Sequence, residues 1–298
     1  MEIFRRGTNP WGEEVIVGLG WQMLWVVVVL GAVFVVAHAV LSRRKVKPEA
    51  VEPPTGGAIP EKLERHSLSA RLSHWVLAIS TIVLLVTSFV PILGLQFAWL
   101  TIHWVAGLVF TAYVIYHLVD TIQRKTLGTM WISGNELREG MSQARGFTGG
   151  DQNEDAPRPG KWGVENKLFH HLTGLAGVAV LVTGLLMMFR VDTVFWVANP
   201  YILSISSGTW GWVYWLHGFS AVGFVGLLMA HIYFAVRPDN FWISRSMFLG
   251  WIPRKEYLQH HDPQRWRPEG IAGDGDAGSS QGDSIPEGAL PYGGEADG

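Results

Sequence analysis

The sequence contains no cysteine and carries little charge. Without a thiol among 298 residues, the chain can form no disulfide, thiolate-bound zinc site, iron–sulfur cluster or thioether-attached c-type haem of its own. Charged residues make up 16%, whereas a soluble domain carries about a quarter. The net charge of −2 says little about partners by itself, and no nucleic acid is expected among them.

What the chain does have is apolar length. Residues of apolar type make up 48%, with 15 Trp. Five stretches reach the roughly 20 residues needed to cross a bilayer: Val15–Leu41, Leu72–Leu93, Phe97–Val119, Leu168–Phe189 and Trp212–Val236. Ala37-His38-Ala39 resembles a signal-peptide cleavage site. The apolar region before it is too long for one, however, and follows Glu13 and Glu14 rather than a basic run, so a retained helix is expected.

Charge between these stretches alternates. Residues 42–73 include Arg43, Arg44, Lys45, Lys47, Lys62, Arg65 and Arg71, and residues 120–167 and the C-terminal segment are similarly basic. The connections 91–102 and 191–211 contain no Lys and no Arg. By the positive-inside bias this places the N-terminus outside, the C-terminus in the cytoplasm and the protein in the cell membrane. Pro and Gly in 48–67 suggest a linker, 146–160 a loop tip, and the Gly-, Asp- and Ser-rich 268–298 a disordered tail.

Histidines lie inside the apolar stretches, where ionisable side chains are costly and usually functional. His217 and His231 are fourteen residues apart on one helix, as are His103 and His117 on another. Fourteen residues rise about 21 Å and return to nearly the same helix face. Both helices run in the same direction, so His103 and His217 share one depth while His117 and His231 share the other. His74, His170 and His171 also fall at that second depth. Facing imidazoles from two helices are the ligand set of low-spin b-type haem. Spacing alone leaves both His74 and His117 as partners for His231. Gly107, Gly174, Gly177, Gly184, Gly218, Gly223 and Gly226 permit close helix packing and also leave room for a flat macrocycle.

In order along the chain, several segments resemble the membrane gamma subunits of formate dehydrogenases and nickel–iron hydrogenases. Arg71-Leu72-Ser73-His74-Trp75 is similar to the opening of their first haem helix, and Ile102-His103 with Gly107 to their second. Lys167 followed by Val180-Leu181-Val182-Thr183-Gly184 resembles their third, and His217-Gly218 with His231-Ile232-Tyr233 their fourth. His260-His261-Asp262-Pro263-Gln264-Arg265-Trp266 is similar to the segment that follows. The resemblance spans about residues 68–266. It implies one haem b on His74 and His231 near the cytoplasm, a second on His103 and His217 near the outer face, and quinone chemistry beside the first. Three features depart from the pattern: the extra N-terminal helix, His117, and Gly163 where the family often has Asn.

The expected architecture is all-α: a membrane four-helix haem-binding bundle (68–267), one extra N-terminal transmembrane helix (1–47) and a linker (48–67). The expected function is electron transfer through two haems between the catalytic and iron–sulfur subunits of a respiratory oxidoreductase and quinone. His117, His170, His171 and Asn166 are candidates for the quinone or proton site. The rivals are a stand-alone di-haem oxidoreductase acting on a small donor, and a membrane anchor.

Overall fold

In a bilayer every backbone polar group must find its partner inside the protein, so long apolar runs become helices. The computed structural model describes residues 2–42, 59–124, 126–147 and 158–268. Its helices long and apolar enough to span a membrane are α1 (Gln22–Ser42), α2 (Leu68–Phe89, continued by a tight turn through Leu93), α3 (Trp99–Gln123), α5 (Val164–Met188) and α7 (Ser207–Val236). Shorter helices are α4 (Gly134–Phe147), α6 (Pro200–Leu203), α8 (Phe241–Leu249) and α9 (Arg254–His260). Two antiparallel strand pairs accompany the helices: β1 (Phe4–Thr8) with β2 (Glu14–Leu19), and β3 (Lys62–Glu64) with β4 (Trp251–Pro253). The protein is an all-α multi-pass membrane bundle.

α2 packs along α3 and α5 along α7, giving two helical hairpins, and α1 lies against α7. The β1–β2 hairpin sits on the first half of α7 and marks one end of the bundle, called here the hairpin end. β3, β4 and α9 mark the other, the cap end.

The first apolar run is split. Val15–Leu19 forms a strand rather than the start of a helix, and the helix begins at Gln22. Val15-Ile16-Val17 is β-branched and suits a strand, and β1 supplies its pairing partner. The hairpin approaches α7 so closely that a Cβ on Gly211 would lie 2.3 Å from the Ile16 carbonyl oxygen. α1 docks through further small residues: Gly226 receives Val27, and Gly31 receives Met229. At the cap end His38 Nδ1 pairs with Tyr233 Oη at 2.9 Å and Arg237 at 3.1 Å.

Part of the expected linker is structured. Ile59 and Leu63 join Ile252, Tyr257 and Leu258 in a small buried core, with Trp242 and Trp266 against it. Gly250 makes this possible. Its φ of 86° ends α8, and its carbonyl accepts the Arg65 and His66 amides at 2.8 and 3.0 Å. Residues 43–58, most of the 146–160 tip (148–157) and the tail from 269 lie outside the described residues.

Candidate functional site

The bundle brings the buried histidines into pairs. At the hairpin end His103 of α3 faces His217 of α7 with ring centroids 6.3 Å apart. At the cap end His74 of α2 faces His231 of α7 at 6.0 Å. A metal-bound imidazole nitrogen lies about 2 Å from the metal and its ring centre about 1 Å further, so two rings on opposite sides of one iron have centroids about 6 Å apart. Both pairs have that spacing, and each spans the gap between the two helical hairpins.

The hairpin-end pair is held by hydroxyls. Thr87 Oγ1 lies 2.8 Å from His103 Nδ1, and Thr183 Oγ1 lies 2.9 Å from His217 Nδ1. Gly184 keeps the wall thin, since a Cβ there would lie 3.3 Å from His217 Cε1.

The cap-end pair opens into a cavity of about 1690 Å³, larger than the roughly 300–1,000 Å³ typical of small-molecule pockets. His74, His117, Phe169, His170 and His231 line it, and Phe169 stacks on His231 at 5.3 Å and 16°. His117 is paired with His170, at 6.2 Å, rather than with His231. Asn166 and His171 are exposed and lie outside the lining. The cavity reaches Phe110 and Phe224 and does not extend to the hairpin-end histidines. These two buried rings both lie 3.8 Å from the Cβ that Gly177 lacks.

Phe110 and Phe224 escaped the reading of the sequence, although each stands midway in a fourteen-residue histidine repeat: 103–110–117 and 217–224–231. The glycines also divide. A Cβ on Gly174 or Gly223 would meet open space, and Gly174 lines the cavity, whereas Gly218 and Gly226 face Leu19 and Val27 of the N-terminal segment.

Over the cavity mouth the cap folds around a buried cation. Arg65 is 2% exposed and lies within 5.2 to 5.5 Å of the rings of Trp162, Trp242 and Trp266. It donates to His261 Nε2 at 2.8 Å, leaving His261 Nδ1–H for the Gly160 carbonyl at 2.7 Å. Burial lowers the Arg65 pKa to about 10. Burial, then the charge of Arg65, lowers His261 to about 3. His66 is lowered to about 3 in the same way, with Lys161 adding to the effect. Arg71 Nη1 and Trp75 Nε1 donate to the Phe248 and Met247 carbonyls at 2.5 and 3.3 Å, which accounts for both residues flanking His74. They meet the negative C-terminal end of α8. Lys167, buried on α5, joins Glu136 of α4 at 2.7 Å and the Trp131 carbonyl at 3.0 Å. Burial acts to raise the Glu136 pKa, but the hydrogen bonds from Lys167 and Ser133 and the lysine charge hold it below the usual value.

Three buried polar atoms of residues in the cavity wall, Arg65 Nε, His66 Nε2 and Thr173 Oγ1, have no partner among the described residues. Unpaired buried polar groups are costly. They share the cavity lining with Lys161 and Arg267, a set that suits a flat apolar ring bearing carboxylates. The residues present therefore fit a haem.

Paired imidazoles across a gap in a bundle of bilayer-crossing helices are the arrangement of a membrane b-type cytochrome, a protein of electron transfer. The family model for prokaryotic cytochrome b561 matches residues 65–250, well over half of the chain, and the chain belongs to that family. No curated protein matches it. The N-terminal hairpin, α1 and the cap residues after Gly250 lie outside the family match.

Proposed function

We propose that the chain is the two-haem membrane subunit of a respiratory oxidoreductase of the formate dehydrogenase or nickel–iron hydrogenase kind. It carries electrons between an extracytoplasmic catalytic unit with iron–sulfur subunits and the quinone pool of the cell membrane. His103 and His217 ligate one haem b, and His74 and His231 the other. The supporting observation is that one helix, α7, contributes one ring to each of two pairs spaced for an iron, while a large cavity opens beside the cap-end pair. Alternation of basic connections supports an orientation with the hairpin end outside and the cap end in the cytoplasm.

Bound haem supplies one-electron redox chemistry, and the protein supplies ligands, spacing and surroundings. The part of the cavity left free beside the haem that His74 and His231 would hold receives the quinone head group. Two electrons, delivered singly, and two protons from the cap-end water convert quinone to quinol. His117 and His170, exposed and in the lining, relay those protons.

The test is haem stoichiometry with two substitutions. A pyridine haemochrome assay is expected to give two haems b per chain, His74→Ala to remove one, and His117→Ala to keep both while slowing quinone turnover. Near one haem per chain in the parent protein, or haem loss in His117→Ala but not in His74→Ala, overturns the assignment.

A further inference from the structure

We infer that Thr87 and Thr183 are positioning residues that fix which nitrogen of each hairpin-end imidazole faces the metal, and so lower the potential of the haem held there. The inference rests on the ligand assignment proposed above.

Each threonine hydroxyl is committed to its own helix. Thr87 Oγ1 lies 2.7 Å from the Val83 carbonyl oxygen and 3.1 Å from that of Leu84. Thr183 Oγ1 lies 2.5 Å from the Ala179 oxygen and 3.3 Å from that of Val180. A carbonyl only accepts, and a hydroxyl has one proton to give. That proton goes to the backbone, so each oxygen has only lone pairs left for the imidazole. The contacts at 2.8 and 2.9 Å are therefore donated by His103 Nδ1–H and His217 Nδ1–H. Nε2 of each ring is then the unprotonated nitrogen and carries the lone pair a metal needs.

Three features argue against incidental packing. The arrangement occurs twice, from α2 to α3 and again from α5 to α7. Both hydroxyl-bearing residues are buried, Thr87 at 2% and Thr183 at 4% exposure, so water does not compete for the role. The cap-end rings differ: among the described residues neither His74 nor His231 has a hydrogen-bond partner, and His231 has the face of Phe169 instead.

A ring nitrogen that donates its proton makes the opposite nitrogen more basic. A hydroxyl already donating to a carbonyl is a better acceptor for that proton. Both effects favour the more positively charged, oxidised iron and so lower the reduction potential.

The experiment is a spectral redox titration of the purified full chain, with His103→Ala identifying the hairpin-end component. Thr87→Val and Thr183→Val are each expected to raise its potential, with about a tenfold change in the reduction equilibrium, or about 59 mV for one electron. The cap-end component stays in place. Thr87→Ser and Thr183→Ser keep the hydroxyl and are expected to titrate like the parent. Where the added methyl of Val crowds the ring, Thr→Ala is the second variant and shifts in the same direction. Unshifted Val and Ala variants, Ser variants shifted as far as Val, or equal movement of both components overturns the inference. If His103→Ala leaves both haems in place, the ligand assignment itself fails. If it removes one haem while the threonine variants titrate like the parent, only the role of the threonines fails.

Discussion

The two ends of α7 present the same pair of side chains in opposite surroundings. At the hairpin end both imidazoles are tied to buried hydroxyls and lie outside the lining of the cap-end cavity. At the cap end the rings border a cavity of about 1690 Å³ whose mouth is lined with basic groups. A closed site with fixed rings suits electron passage alone, because nothing but an electron needs to enter. An open site suits an exchangeable partner that also takes up protons. Phe110 and Phe224 are the boundary between the two.

The largest way to break that contrast is to remove the boundary. Phe224→Ala deletes a buried ring, a change that costs roughly 3–5 kcal/mol in well-packed interiors. It is expected to lower thermal stability in detergent and to extend the cavity toward His103 and His217. Stopped-flow reduction by a small hydrophilic donor checks this: the hairpin-end haem becomes reactive in the variant only. Unchanged reactivity means that the cavity floor is elsewhere.

Acid acts on the cap through two buried histidines. His66 and His261 stay neutral in the fold down to about pH 3, whereas in the unfolded chain they take up protons near pH 6.5. The unfolded cap therefore binds more protons below pH 6.5. Cap stability is full above that pH and falls between 6.5 and about 3, by about 1.4 kcal/mol per pH unit for each histidine. Fluorescence of Trp162, Trp242 and Trp266 is expected to report loosening over this window while the hairpin-end haem spectrum stays constant. Simultaneous change of both signals would mean that the two ends unfold together.

The smallest effect concerns the rim of the open site. Arg265 grips both oxygens of Glu139 at 3.0 and 3.1 Å, but the pair is partly exposed, and such pairs contribute about 0.2–1 kcal/mol. Glu139→Gln is expected to shift the melting temperature only slightly and to leave haem content unchanged. A loss of haem would assign α4 a larger part in closing the cavity.

The helices and the two histidine depths were legible because bilayer length and a fourteen-residue repeat are properties of a single segment. The strand at Glu14–Leu19 was hidden because its β-branched residues run directly into the apolar helix, and only pairing with Phe4–Thr8 distinguishes it. The partner of His117 was equally hidden. Depth is read along one helix, while the choice between His170 and His231 depends on how two hairpins are rotated about each other. Gly218 and Gly226 were visible as small residues, but nothing local says whether they face a macrocycle or Leu19 and Val27. Arg65, counted in the sequence only among basic loop residues, is buried because three tryptophans from distant segments meet over it.

One feature of the bundle bears on how the protein is made. A chain leaves the ribosome N-terminus first, and α7 is the last of the five spanning helices, yet it provides a ring to both pairs. His74 and His103 therefore enter the bilayer with no facing imidazole and wait through the synthesis of more than a hundred further residues. Neither pair can close before α7 arrives, so on the ligand assignment proposed above, haem capture between facing imidazoles would belong to the end of membrane insertion. A ribosome stalled before Ser207 would leave a membrane-embedded chain with neither pair complete.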